Sequence, residues 1–243
     1  MRAMVLAAGL GTRLRPLTND RPKALVEIGG RTLLEIALTR LASFGVREVI
    51  INVHHFPDMV VEYLKAHENF GMCVEISRED DLLLDTGGGL KKAAWFFLDD
   101  PSRMDEPFLL HNVDVISTIP LDRLLSFHRE NHALATLAVQ QRESSRQLLF
   151  DGEGELSGRW ISGKDPEFAR PTPNLKAFAF SGIHAISPRL LPKIAEEGVF
   201  SIVESYLRLA GEGERILAFR ADEYRWRDLG RLEDLQQAER EFA

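Results

Sequence analysis

Short apolar runs alternate with helix-spaced segments from the N-terminus to residue 140. Arg2–Ala8 is an apolar run that ends in glycines and reads as a buried strand. Thr32–Phe44 sets Leu33, Leu34, Ala37, Leu38 and Leu41 on one helical face, and Gly45 closes it. Glu48–His54 reads as a strand, Asp58–Phe70 as a helix ending before Gly71, and Cys73–Ser77 as a strand. Gly89–Leu98 then predicts a helix, Pro107–His111 a strand, Leu121–Asn131 a helix and Ala133–Gln140 a strand. Such alternation predicts βαβ units in a three-layer α/β/α sandwich with a mostly parallel, Rossmann-like sheet. Ligands of such sheets gather at the carboxyl ends of the strands, so the residues following each strand are the functional candidates.

Between Gln141 and Pro173 the pattern breaks under seven glycines and prolines, Gly152, Gly154, Gly158, Gly163, Pro166, Pro171 and Pro173. Short antiparallel strands and a mobile loop over the site are expected there. Regularity returns with a strand at Ala177–Ile186, a helix at Ser201–Ala210, a strand at Arg215–Phe219 and a helix at Leu232–Phe242. No internal repeat or low-complexity linker divides the 243 residues. One domain is therefore expected, with its boundary between a regular and an irregular half near residue 140.

Composition narrows the function classes. The formal net charge of −7 argues against a nucleic-acid partner, which calls for a basic face. No run approaches the roughly 18 apolar residues of a membrane span. Met4–Leu10 is at the short limit for a secretory signal core and runs into Arg13, Arg15 and Arg21, so a cytoplasmic protein is expected. A monomer or homodimer is the expected assembly. The single cysteine, Cys73, excludes an internal disulfide and a cysteine-built zinc cage; it is expected to be a small buried hydrophobe.

The most informative segment is Leu6–Leu25, LAAGLGTRLRPLTNDRPKAL. Gly9 and Gly11 let the backbone approach a ligand and turn N–H groups toward phosphate oxygens. Arg13, Arg15 and Lys23 are cations that are costly to gather at a strand end unless an anion joins them. A dinucleotide fingerprint would need a third glycine where Leu14 stands, and a Walker A loop would need Gly-Lys-Ser/Thr. Farther on, Asp85-Thr86-Gly87-Gly88-Gly89 offers close approach to a flat base and free N–H groups for its edge. Phe108–Asp114 is a strand delivering a carboxylate at its end, and Trp226-Arg227-Asp228-Leu229-Gly230 supplies a second carboxylate. His54 and His55 follow a strand, but neighbours on an extended chain point to opposite faces and make poor joint metal ligands.

The pattern Gly-x-Gly-Thr-Arg-Leu-x-Pro-Leu-Thr-x-x-x-Pro-Lys, carried here from Gly9 to Lys23, resembles the signature of the sugar-1-phosphate nucleotidyltransferases, the nucleotide-sugar pyrophosphorylases. The resemblance extends over nearly the whole chain and implies a glycosyltransferase-A-like nucleotidyltransferase fold, with residues 1–140 as a nucleotide-binding half and residues 141–243 as a sugar-binding half. It implies that Ala8, Gly9, Gly11, Thr12 and Arg13 hold a nucleoside triphosphate, with Arg13 on the leaving pyrophosphate. Lys23 would bridge the phosphates of the triphosphate and of a sugar-1-phosphate, and Asp85, Thr86 and Gly87 would contact base and ribose. Asp114 and Asp228 would bind Mg²⁺. Asn112, Gly182 and Glu204 would face the sugar, Gly182 by leaving room for its ring.

One departure stands out. Many relatives hold the sugar phosphate with a Glu-Lys-Pro segment, and no such triplet lies between Arg142 and Asn174. Arg159 or Lys164 is the expected substitute. The short length and the Leu-x-Thr-Gly-Gly-Gly segment most resemble the N-acetylmuramate-1-phosphate uridylyltransferases, with mannose- or heptose-1-phosphate guanylyltransferases as the alternative. A lactyl carboxylate on such an acceptor would call for a further cation, from among Arg159, Lys164, Arg170 and Lys176. A non-catalytic nucleotide-sugar-binding protein is the alternative of another class.

Overall fold

The protein, a computed structural model, is described over residues 1–242. β1 (Arg2–Leu6) leads through the glycine loop to a small hairpin, β2 (Glu27–Ile28) and β3 (Arg31–Thr32). The Thr32 hydroxyl accepts from the Glu35 N–H and so caps α1 (Leu33–Ser43). β4 (Glu48–Val53), α2 (Pro57–Ala66), β5 (Cys73–Arg78), α3 (Asp85–Lys92) and α4 (Trp95–Leu98) follow. Next come β6 (Phe108–Asn112), β7 (Val115–Ser117), α5 (Leu121–Glu130) and β8 (Ala135–Gln140). The irregular segment contains β9 (Arg146–Phe150), β10 (Leu156–Ile161) and β11 (Glu167–Phe168). The chain ends with β12 (Lys176–Ile186), α6 (Ile202–Gly211), β13 (Ile216–Arg220), β14 (Trp226–Asp228) and α7 (Leu232–Phe242).

A ten-stranded sheet runs in the order β11-β10-β9-β12-β6-β1-β4-β5, with β8 beside β12 and β13 beside β8. β1, β4, β5 and β6 are parallel, as the βαβ pattern predicts. The meander β9-β10-β11 is antiparallel, matching the expectation for the irregular segment. β12 joins the two regions: Lys176–Phe178 pair with β9, and Ile183–Ile186 lie between β6 and β8. The register shifts between Phe180 and His184, where Gly182 takes φ 71°.

Strand periodicity of two sends successive residues to opposite faces, and each face has its own core. Ala3, Val5, Val49, Ile51 and Leu109 pack with Leu34, Leu38 and Leu41 of α1, Leu64 of α2 and Leu124 of α5. Met4, Ile50, Phe108 and Leu110 pack on the other face with Leu90 of α3, Phe97 of α4 and Tyr206 of α6. The mixed sheet between two helical layers is the three-layer architecture expected.

Three local expectations are corrected. The helix expected to begin at Gly89 begins at Asp85, so the glycines are helical, and it breaks at Ala93 before α4. The second helix ends at Ala66 rather than Phe70, because Asn69 and Phe70 turn left-handed with φ 51° and 53°. Cys73 is exposed, not buried, since it opens β5, which pairs with β4 alone at the sheet edge.

Candidate active site

The loop after β1 is built to stay open to a ligand. The Ala7 N–H is held by Asn52 Oδ1 of β4 at 2.8 Å, which anchors the loop's start. Gly11 has φ 62°, and a Cβ there would lie 2.8 Å from Thr18 Cγ2 and 3.0 Å from Lys23 Cβ. Only glycine allows the chain to fold this tightly over Thr18 and Lys23. A Cβ at Gly9 would meet nothing within 4 Å, so no packing demand explains that glycine. Thr12 and Arg13 form an exposed single-turn 3-10 segment.

Lys23 is a buried cation, 9% exposed, and its ammonium donates to Asp114 Oδ2. Asp114 sits in the turn between β6 and β7. β7 pairs antiparallel with β14, which sets Asp228 opposite Val115, and the Leu229 N–H donates to the Asp114 carbonyl at 2.8 Å. Two carboxylates from distant parts of the chain therefore share one small ribbon. A Cβ on Gly230 would lie 2.7 Å from both Arg13 Nη2 and Asp228 Oδ1, so this glycine admits the Arg13 guanidinium beside Asp228. The Gly230 N–H donates to the same Asp228 oxygen at 2.7 Å.

Burial raises the Asp228 carboxyl above its ordinary range, and the Asp114 charge pushes it the same way. The Gly230 N–H, Lys23 and Arg13 oppose both effects. A partly buried pair of hard oxygen donors is the donor set that suits Mg²⁺, with phosphates and waters completing its shell. No cluster of three or more His, Cys, Asp or Glu residues suited to a metal occurs among the described residues. His54 is engaged by the Glu79 carbonyl at 2.5 Å, and His55 packs on Phe56 with ring centroids 4.1 Å apart.

The glycine segment of α3 departs from expectation. Its N–H groups are not free: Gly87 donates to the Phe200 carbonyl at 2.9 Å, and Gly88 to the same oxygen at 3.4 Å. The Thr86 hydroxyl accepts from the Ile202 N–H at 3.0 Å. A Cβ at Gly87 would lie 2.3 Å from the Phe200 ring, and one at Gly88 2.4 Å from the Gly198 carbonyl. One at Gly89 would lie 2.8 Å from Asn52 Nδ2 and 2.9 Å from Glu79 Oε1. Gly87 and Gly88 let residues 198–202 dock on the helix, whereas Gly89 makes room for Asn52 and Glu79. Asp85 opens the helix in a left-handed conformation, φ 59°, strained for a residue with a side chain.

Two cavities meet here. One of about 330 Å³ is lined by Ala8, Gly9, Lys23, Asp85, Thr86, Asn112 and Asp114 among the residues expected from the sequence. The other, about 600 Å³, shares Asp85, Thr86 and Asn112 and adds Gly182, Glu204 and Asp228. Gly11, Thr12, Arg13 and Gly87 line neither. At Gly182 the space of the missing Cβ is already filled, since Asn112 Nδ2 would lie 2.8 Å from it; the room goes to Asn112 rather than to a sugar ring.

The sequence model of the nucleotidyl transferase family matches residues 2–148, more than half of the chain. The chain belongs to the nucleotidyl transferase family. This transferase is 32% identical over 216 residues to the N-acetylmuramate alpha-1-phosphate uridylyltransferase of Caulobacter vibrioides, covering 87% of this chain and 85% of that one. It is 31% identical over 237 residues to the mannose-1-phosphate guanyltransferase of Yarrowia lipolytica, covering 96% of this chain but only 62% of the relative. Its fold is similar to HddC from Yersinia pseudotuberculosis complexed with GMP-PN, with a TM-score of 0.77 and 20% identity over 100% of this chain and 99% of that one. The inositol-1-phosphate CTP transferase from T. maritima matches with a TM-score of 0.73 and 19% identity, covering 99% and 95%.

Of the four cations named in the transferase's second half, Arg159 alone lines the large cavity, where it is paired with Glu167 at 2.6 Å. Arg170 is paired with Asp151 and Glu155 at 2.8 and 2.9 Å. Lys164 and Lys176 are exposed, and neither they nor Arg170 line that cavity. Arg142 and Val199 line the cavities without having been singled out, and Trp226, named only as the start of the segment that carries Asp228, lines the larger one. No spacing in the sequence marks Arg142 or Val199, because their approach depends on the β14 ribbon and the 198–202 docking.

Proposed function

We propose that the protein transfers a nucleotidyl group from a nucleoside triphosphate, UTP foremost, to a sugar-1-phosphate, N-acetylmuramate-1-phosphate foremost, releasing pyrophosphate. What carries the reading is the convergence of Lys23, Asp114 and Asp228 where the two cavities meet. The smaller cavity, reached by the Ala8–Arg13 loop, takes the triphosphate; the larger takes the acceptor. A phosphate oxygen of the sugar phosphate attacks the α-phosphorus, and pyrophosphate leaves in line. That oxygen is ionised at neutral pH, so no general base is needed. The work is positioning and charge neutralisation. Lys23 presents an ammonium to the phosphates of both substrates, and Arg13, held beside Asp228 by the space at Gly230, faces the leaving pyrophosphate. Asp114 and Asp228 would hold the magnesium ion, which when bound supplies positive charge to the reacting phosphates.

The Gly87 N–H is taken by the Phe200 carbonyl, so base contacts from this segment fall to Asp85 and to the Thr86 hydroxyl, which accepts from the Ile202 N–H and keeps its own proton to donate, with Leu83 and Val199 as aliphatic walls. The uridylyl and muramyl choice is supported by the relative that matches this chain over most of both lengths. Guanylyl transfer to mannose-1-phosphate is the second reading, supported by relatives aligned over 96% of this chain. A non-catalytic sensor would have no use for Arg13, Lys23, Asp114 and Asp228 together. Pyrophosphate release from each triphosphate with N-acetylmuramate-, N-acetylglucosamine- and mannose-1-phosphate tests the reading. UTP with the muramate is expected to be fastest; GTP with mannose-1-phosphate overturns the substrate choice, and no release from any pair overturns the reaction.

A further inference from the structure

The large cavity is lined by a guanidinium that forms no ion pair among the described residues. Arg142 lies two residues beyond the end of β8, half-buried, with its Cζ 3.8 Å from the centroid of the Trp226 ring. Its Nη2 donates to the Phe180 carbonyl at 2.8 Å, the only hydrogen bond of this side chain among the described residues. Its Nε is buried without a partner, and no carboxylate pairs with it among the described residues. A half-buried cation left unpaired is destabilising, and a stacked ring offsets only part of that.

The surroundings hold the group in place. Gln140 Nε2 donates to the carbonyls of Ala221 and Tyr224, both at 2.8 Å, and so ties the end of β8 to the turn before β14. Trp226 Nε1 donates to the Ser181 carbonyl at 2.7 Å. Trp226 and Asp228 are alternate residues of one strand and project to one side, so a guanidinium on the Trp226 ring stands on the same side as Asp228. Burial lowers the Arg142 pKa, and the Asp228 charge acts on it in the opposite direction. Arg142 therefore stands on the wall of the cavity that Asp228 also lines.

We infer that Arg142 binds the 1-phosphate of the acceptor, filling the place left by the missing Glu-Lys-Pro lysine. The inference rests on the reaction proposed above. A planar fork of donors suits a phosphate, and stacking pre-orders it before the substrate arrives. Arg159 spends its charge on Glu167, and Arg146, on the same wall, is exposed to solvent.

Initial rates of Arg142→Gln and Arg142→Lys, with Arg146→Ala and Arg159→Ala as comparisons, test it. They are read on N-acetylmuramate-1-phosphate with UTP or mannose-1-phosphate with GTP, whichever the wild type turns over. A wild type inactive on both defeats the reaction reading itself, and this inference with it. Arg142→Gln is expected to raise the acceptor KM about tenfold or more, with the triphosphate KM within about twofold. Arg142→Lys should recover part of that loss, which a purely structural role would not predict. Arg146→Ala and Arg159→Ala should move the acceptor KM less. An unchanged acceptor KM in Arg142→Gln, or an equal rise for both substrates, overturns the inference. So does a loss confined to the muramate while inhibition by N-acetylglucosamine-1-phosphate stays at the wild-type level, which would give Arg142 the lactyl carboxylate instead.

Discussion

Lys23 hydrogen-bonds Asp114 across a separation of 91 residues. The contact exists because the glycine loop after β1 folds back over Lys23, while β6 delivers Asp114 at the same edge of the sheet. Each charge is neutralised by the other before any substrate arrives, so anionic phosphates enter a site in which the cation is already aimed.

Replacing Asp114 with Asn keeps the shape of the side chain and removes its charge. The expected result is a fall in kcat of roughly 10²–10³-fold, similar to deletion of a single preorganised electrostatic contact. Rates at saturating magnesium and both substrates measure it. A variant that turns over near the wild-type rate removes Asp114 from the metal site.

Lys23→Ala separates chemistry from binding. If the ammonium acts mainly as charge shifts between phosphates, kcat falls by a larger factor than the triphosphate KM rises. Steady-state kinetics with the acceptor saturating distinguish the cases. A rise in KM with kcat intact makes Lys23 a phosphate anchor and nothing more.

The glycines of the loop after β1 and of α3 are expected to respond differently. Gly87→Ala drives a methyl into the Phe200 ring and should lower folding stability by roughly 1–3 kcal/mol. Gly9→Ala, with open space around it, should leave stability within about 0.5 kcal/mol while lowering kcat/KM for the triphosphate. Urea denaturation beside initial rates reads both, and equal stabilities for the two variants would contradict the docking seen at Gly87.

Stability should fall with acidification, beginning well above the carboxylate range. Burial lowers His128 to about 4 and His184 to about 3 from an ordinary 6.5. Between those values and 6.5 the imidazoles take up protons only in the unfolded chain, so stability present above 6.5 is lost as pH falls. Each contributes a slope of up to about 1.4 kcal/mol per pH unit. His128 bonds Thr136 and Ser187, both at 3.0 Å, so His128→Gln should flatten the profile between pH 6.5 and about 4. Denaturation midpoints measured over that range check it.

The parallel core was legible because it rests on local pattern: Leu34, Leu38 and Leu41 of α1, and the short apolar run along Glu48–Val53, need no partner to be recognised. The loop from Gly9 to Lys23 was legible because its residue types and spacing are themselves the signal. What escaped depends on contacts distant in sequence. Gly87 looked like a ligand-facing turn because its partner, Phe200, lies more than a hundred residues on. Cys73 looked buried because edge position follows from sheet order rather than from composition. Arg142 was passed over because only the β14 ribbon sets Trp226 beneath it.

The docking of residues 198–202 on α3 also limits how far the enzyme can be recombined. Gly87 and Gly88 fit Phe200 and Gly198 as a lock fits its key, although one pair belongs to the first half of the sequence and the other to the second. A chimera that exchanges the second half for a relative's would set an unmatched loop against Gly87 and Gly88 of α3. At the seam, the two halves are constrained to change together.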